Sequence, residues 1–208
     1  MKKEILLLKK RIDVEKSPVV LSYTPDENWR DVWEPKRGNW KYEDGYLIGS
    51  EPENRGGILL SKQRFDKDIM LSFTISSNLP ATRDLNAVIC TEWDDEINYL
   101  KRAYVSGING WYDGKSGIER FPEDLFCCLT DFYKYTPGTE IRYTTGAIGG
   151  HNFLLIDDVL IAEVLDNNSP YIGGHVGFSP YATSFKVKDI EVREIWWEER
   201  KQSYLPEF

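Results

Sequence analysis

Hydrophobic and polar positions alternate with a period of two along most of the chain, or give way to short β-rich runs. The clearest are "IMLSFTISS" (69 to 77), "NAVICTEW" (86 to 93) and "SFKVKDIEVREI" (184 to 195). Side chains spaced in this way fall on opposite faces of a strand. Helical periodicity is nearly absent. Clusters of Gly, Asn, Asp, Ser and Pro separate the runs at 43 to 45, 54 to 57, 77 to 84, 113 to 117 and 167 to 174, and these are turn-forming compositions. The pattern predicts an all-β protein, a sandwich or barrel of short strands.

Local signals refine the picture. "WKYEDGYLIG" (40 to 49) predicts a hairpin turning at Asp44-Gly45, and "NFLLIDDVLIAEV" (152 to 164) a second one turning near Asp157-Asp158. In "FKVKDIEVREI" the apolar alternation breaks between Val187 and Ile190, which predicts a bulge near Lys188-Asp189. "FPEDLFCCLTDFYKY" (121 to 135) is the one candidate helix, with Pro122 near its first turn. No repeat, linker or low-complexity stretch divides the 208 residues, so one domain over 1 to 208 is expected.

Charge and cysteine usage narrow the function classes. With 34 acidic against 26 basic residues the formal charge is −8, which repels phosphates, so nucleic acid is not an expected partner. The opening "MKKEILLLKKRIDVEK" has four apolar residues in a row, too few for a secretory signal or a membrane span; no membrane association and a cytoplasmic location are expected. Cys127 and Cys128 are adjacent and Cys90 lies in an apolar run, so no disulfide framework is indicated. His151 and His175 are far apart in sequence without a Cys-x-x-Cys, and no metal ligand set is assigned.

The order of pieces, "NWKYEDGYLIGS", "GGILLSKQRFDKDIMLSFTI", "PGTEIRYTTGAIGGHNFLLIDDVLIAEVLDN" and "GGHVGFSPYATSFKVKDIEV", resembles the concanavalin A-like lectin/glucanase superfamily. Within it the chain is most similar to bacterial 3-keto-disaccharide hydrolase domains and YesU-like proteins. The resemblance covers 29 to 195 and leaves a C-terminal extension, 196 to 208. It implies a two-sheet antiparallel jelly-roll sandwich whose concave face binds or cleaves carbohydrate. A small saccharide or oligosaccharide is then the expected partner. It also admits a structural calcium ion, with Asp26, Asp157, Asp158 and Asp189 as candidate donors, although no EF-hand-like loop specifies one; no other cofactor is expected. The paired Trp196 and Trp197 pack back on the domain or form a homo-oligomer contact.

Two segments carry candidate chemistry. "CTEWDDEINY" (90 to 99) sets Glu92, Asp94 and Glu96 at alternate positions and resembles the Glu-x-Asp-x-Glu strand of family 16 glycoside hydrolases. On a straight strand Glu92 is the nucleophile and Glu96 the acid/base, with Cα atoms about 13 Å apart, and Asp94 raises one pKa by like charge. The same residues read equally as an acidic turn closing the strand at Trp93. "SGINGWYDGKSGIER" (106 to 120) gathers Asn109, Trp111, Tyr112, Glu119 and Arg120 in a Gly-punctuated segment that suits a ligand-binding loop; a plain solvated hairpin is the alternative. Its Ser106 to Asn109 match a Ser-Gly-x-Ile-Asn segment of YesU-like relatives. His151 and His175 each open a strand after a Gly-Gly pair; His151 is a candidate general base and His175 a candidate ligand contact. The functional expectation is an intracellular glycoside hydrolase or keto-sugar eliminase, against a non-catalytic carbohydrate-binding module or a structural interaction domain.

Overall fold

The structure is a computed structural model describing residues 3 to 200 except 54, 113 and 124, and of 125 to 127 the backbone alone. The alternating runs become strands, numbered in chain order, in three antiparallel sheets. The first large sheet holds seven in the spatial order β12 (Leu125–Thr130), β11 (Lys115–Phe121), β10 (Tyr99–Trp111), β9 (Leu85–Asp94), β16 (His175–Phe178), β7 (Ile58–Ser61) and β4 (Trp33–Arg37). The second holds eight. Its path runs β15 (Val159–Leu165), β14 (His151–Ile156), β13 (Ile141–Ile148), β8 (Ile69–Ser77), β17 (Thr183–Glu194), β6 (Tyr46–Glu51) and β5 (Asn39–Glu43), with β3 (Val19–Tyr23) also paired to β17. A three-stranded sheet joins β1 (Glu4–Leu6), β2 (Lys10–Asp13) and β18 (Trp197–Glu199). A 3-10 turn, Trp29–Asp31, precedes β4.

The main core lies between the two large sheets. Leu85, Ala87 and Ile89 of β9 meet Leu71, Phe73 and Ile75 of β8, all at most 1% exposed. Phe73 stacks on Tyr143 at 4.8 Å and meets Phe178 edge-on at 4.9 Å, and each such buried side chain stabilises the fold by roughly 1.5–3 kcal/mol. On the far side of the eight-stranded sheet, Met70, Phe153 and Leu155 pack under Ile5 and Ile12 of the three-stranded sheet and Leu7 of the β1–β2 connection. The far side of the seven-stranded sheet carries a smaller cluster, Ile58, Leu60, Val88, Leu100 and Ala103, with Tyr99, Val105 and Phe121 beside it. No sheet covers that face among the described residues.

The two hairpins form where the turn residues sit. Asp44 and Gly45 have φ of 50° and 81°, and Asp157 and Asp158 of 48° and 64°, the left-handed pair that a two-residue turn between twisted strands needs. The bulge also stands where the alternation breaks, with Asp189 at φ 51° and the β17–β8 register shifting between Lys188 and Glu191. The expected helix over 121 to 135 is absent. Phe121 ends β11, and Leu125–Thr130 is a strand paired with it; an apolar run of this length reads as helix or strand alike until a neighbour with free edge groups captures it. Cys90 and Cys128 are free thiols. Among the described residues no helix is long and apolar enough to cross a membrane.

Candidate functional site

Alternation along β9 and β10 builds a cavity on the uncovered face of the seven-stranded sheet. Leu85, Ala87 and Ile89 point into the core, so Asn86 and Val88 take the outer face; on β10 Tyr104 and Ile108 point inward and Val105 outward. The resulting cavity has a volume of about 590 Å³ and is walled by Tyr99, Trp111, Phe121 and Tyr181, with Asp84, Asn86 and Glu119 among its polar groups. Mostly apolar walls with a few convergent polar groups, at this size, are the usual make-up of a small-molecule site.

Two glycines make the arrangement fit. A Cβ on Gly107 would overlap the Asn86 side-chain oxygen and the six-membered ring of Trp111, and one on Gly110 would overlap Asp84 Oδ1. The bare backbone of β10 is therefore the floor on which Trp111, Asn86 and Asp84 lie. Asn109, at φ 57°, turns the strand between them and donates from Nδ2 to the Thr82 carbonyl at 2.8 Å. The indole N–H of Trp111 donates to Glu119 Oε2 at 3.1 Å. Burial pushes the Asp84 carboxyl up to about 6, against the opposing pull of Arg83 and a hydrogen bond from Asn86. The Asn86 Oδ1 is buried with no hydrogen-bond partner among the described residues, an acceptor whose desolvation is uncompensated.

Of the expected site residues, Trp111 and Glu119 enter the cavity and Arg120 does not. Neighbours on a strand face opposite ways, so Arg120 lies under the sheet, donating to Asp166 Oδ2 at 2.8 Å and the Asn168 carbonyl at 2.6 Å, with its guanidinium 4.4 Å from the Tyr171 ring centre. Tyr104 donates to the same Asp166 oxygen at 2.5 Å, and the group pins the 165 to 174 loop across that end of the sandwich. Tyr112 stands at the hairpin tip, 64% exposed and outside the cavity wall.

The three acids of "CTEWDDEINY" do not share a straight strand. Strand β9 ends at Asp94, whose Oδ1 accepts the backbone N–H of Glu96 at 2.9 Å, so Glu96 belongs to the turn. A bulge also intervenes. Cys90 has φ 52°, and the β9–β10 register shifts between the Arg102↔Glu92 and Tyr104↔Ile89 pairs, which changes the phase of every later side chain. Trp93 thus joins the outer cluster. Glu92 turns from it and accepts from Arg102 at 2.9 Å and from Arg64 at 3.4 Å. These are ion-pair contacts, and the acid is not in the cavity.

The histidines are elsewhere. His151 lies beneath the three-stranded sheet, its Nε2 2.5 Å from Glu163 Oε1 and its Nδ1 3.2 Å from Lys10 Nζ; burial is the main cause of its lowered pKa. His175 donates from Nδ1 to the Ser61 carbonyl at 2.7 Å. The aspartates considered for calcium serve turns: Asp26 Oδ1 accepts Asn28 N–H, Asp157 Oδ1 accepts Arg142 N–H and Asp189 Oδ2 accepts Thr74 Oγ1–H, Asp158 standing beside Asp157. No group of three His, Cys, Asp or Glu gathers to hold a metal among the described residues. Trp197 packs against the small sheet's core, whereas Trp196 is 38% exposed under Lys16; residues 201 to 208 of the extension lie outside the described residues.

No protein-family model and no curated protein matches the sequence. Solved structures do match the fold. A protein of unknown function with a galectin-like fold from Bacillus subtilis aligns over 86% of this chain and 98% of its own, at TM-score 0.70 and 13% identity. The carbohydrate-binding module CBM66 from Bacillus subtilis aligns over 77% and 94%, at TM-score 0.63 and 14% identity. The carbohydrate recognition domain of Emp47p aligns over 88% and 98%, at TM-score 0.57 and 15% identity. The chain shares with these structures a jelly-roll sandwich built on its two large antiparallel sheets.

Proposed function

We propose that this is a carbohydrate-active protein that takes a small saccharide into the cavity on the outer face of the seven-stranded sheet. The observation that carries the reading is the placing of Trp111 over the bare backbone of Gly107, hydrogen-bonded to Glu119 and beside the unpartnered Asn86 oxygen. A pyranose has apolar C–H faces and a rim of hydroxyls; it needs aromatic walls and fixed acceptors together. Structural neighbours that include a carbohydrate-binding module and a carbohydrate recognition domain support the same reading. Among the activities expected from the sequence, hydrolysis, elimination and binding alone, recognition of the sugar is common to all three.

Calorimetric titration with mono- and disaccharides, including oxidised keto forms, tests it. At least one member of the panel binds, and Trp111→Ala weakens that binding. Silence across the panel, or binding indifferent to Trp111→Ala, would exclude this cavity as the site.

A further inference from the structure

Resting on that reading, we propose that Asp84 and Glu119 cleave the glycosidic bond of the bound saccharide, Asp84 as proton donor to the leaving oxygen and Glu119 as base toward the attacking water. They are the two carboxylic acids in the cavity wall, and their surroundings differ in the way the two roles require. Asp84 is 8% exposed, held at φ 57° as the chain enters β9, with its Oδ1 in the space that Gly110 leaves open. Among the described residues only Arg83, at 3.3 Å and more than half exposed, offers it a cation, and the Asn86 amide bonds to it. Burial outweighs both and pushes the acid up to about 6, so Asp84 holds a proton at a higher pH than an ordinary carboxyl does. Glu119 is partly buried on the neighbouring hairpin strand, one oxygen fixed by the indole N–H of Trp111.

Asn86 is the independent sign that something polar docks here. The residue is 6% exposed and lines the cavity on β9, two positions after Asp84, yet its Oδ1 has no partner among the described residues. A sugar hydroxyl donating to it relieves an orphaned acceptor and sets the ring against Trp111.

The step balances without a further co-reactant. The Asp84 proton moves to the bridging oxygen as the bond from that oxygen to the anomeric carbon breaks, its electron pair staying on oxygen. A water oxygen donates an electron pair to the anomeric carbon, and the water's proton passes to Glu119. The products are a hemiacetal and an alcohol, and exchange with solvent returns a proton to Asp84 and removes one from Glu119.

The test compares leaving groups with the full chain. Saccharides found to bind are offered as disaccharides and as 4-nitrophenyl glycosides, whose phenolate departs without protonation. Wild type cleaves both. Asp84→Asn loses at least ~100-fold on the disaccharide and far less on the nitrophenyl glycoside, whereas Glu119→Gln loses on both; circular dichroism and calorimetry on each variant show that fold and binding persist. Binding without release of either product by wild type overturns the cleavage and leaves the binding site standing. Equal losses for Asp84→Asn on both substrates overturn its role as proton donor. Absence of any binding removes the underlying reading itself.

Discussion

The indole N–H of Trp111 and the carboxylate of Glu119 are joined at 3.1 Å across the β10–β11 hairpin, so the ring that walls the cavity is held by the acid that shares it. Replacing the ring separates stacking from positioning. Trp111→Ala is expected to weaken saccharide binding roughly 5- to 30-fold, from the loss of about 1–2 kcal/mol of aromatic contact. Trp111→Phe keeps a face for the sugar but frees Glu119 and falls between the two. Calorimetric titration ranks the three proteins.

Gly107 makes room for that ring and for Asn86. Gly107→Ala is expected to displace the indole at a cost of about 1–3 kcal/mol of stability and to abolish saccharide binding. Near-ultraviolet circular dichroism and denaturant unfolding read the two effects separately.

Asp84 is ionised at neutral pH against its surroundings. An acid raised to about 6 in the fold destabilises it wherever the unfolded chain is more readily ionised. Asp84→Asn is therefore expected to gain about 1–3 kcal/mol at pH 7, a gain that fades as pH falls from about 6 towards the ordinary carboxylate range. Urea unfolding of both proteins across that window checks the slope.

His151 works in the opposite sense. Its pKa is lowered by burial, with Lys10 adding to the effect and Glu163 opposing it. The stabilising contribution is full above the unfolded value of 6.5 and is lost as pH falls through the folded one, because the unfolded chain takes the proton first. His151→Gln is expected to remove that part of the acid-side decline, measured as the difference in unfolding free energy between the two proteins from pH 7 to 5.

The buried Arg120–Asp166 pair predicts a stability phenotype without a site phenotype. Asp166→Ala strips the acceptor from a guanidinium and from Tyr104 and is expected to cost about 3 kcal/mol, whereas Tyr104→Phe costs about 1. Denaturant midpoints give the ranking.

Period-two patterning made the strands, both hairpins and the β17 bulge legible, because each rests on local chemistry that the residues themselves carry. The 121 to 135 segment misleads for the converse reason: Pro122 and an apolar run suit a helix start, and only the free edge of β11 makes it a strand. Within the site, Glu119 and Arg120 could be separated by alternation alone. Glu92 could not, since a left-handed non-glycine at Cys90 shifts the phase with no mark in the sequence. Asn86 was the overlooked signal, one polar residue inside "LNAVIC" where a fully buried strand has no use for it. Asp84 closes the turn-forming cluster 77 to 84 and carries no local mark of its burial.

The small sheet pairs Ile12 with both Ile5 and Trp197, strands far apart in sequence. During synthesis β1 and β2 emerge long before β18 can join them, while Met70 and Phe153 beneath acquire their final cover only then. Assembly of this layer is governed by non-local contact, the slow kind. Until β18 has joined, the nascent sandwich exposes an apolar flank at which chaperone capture or association between unfinished chains competes with folding.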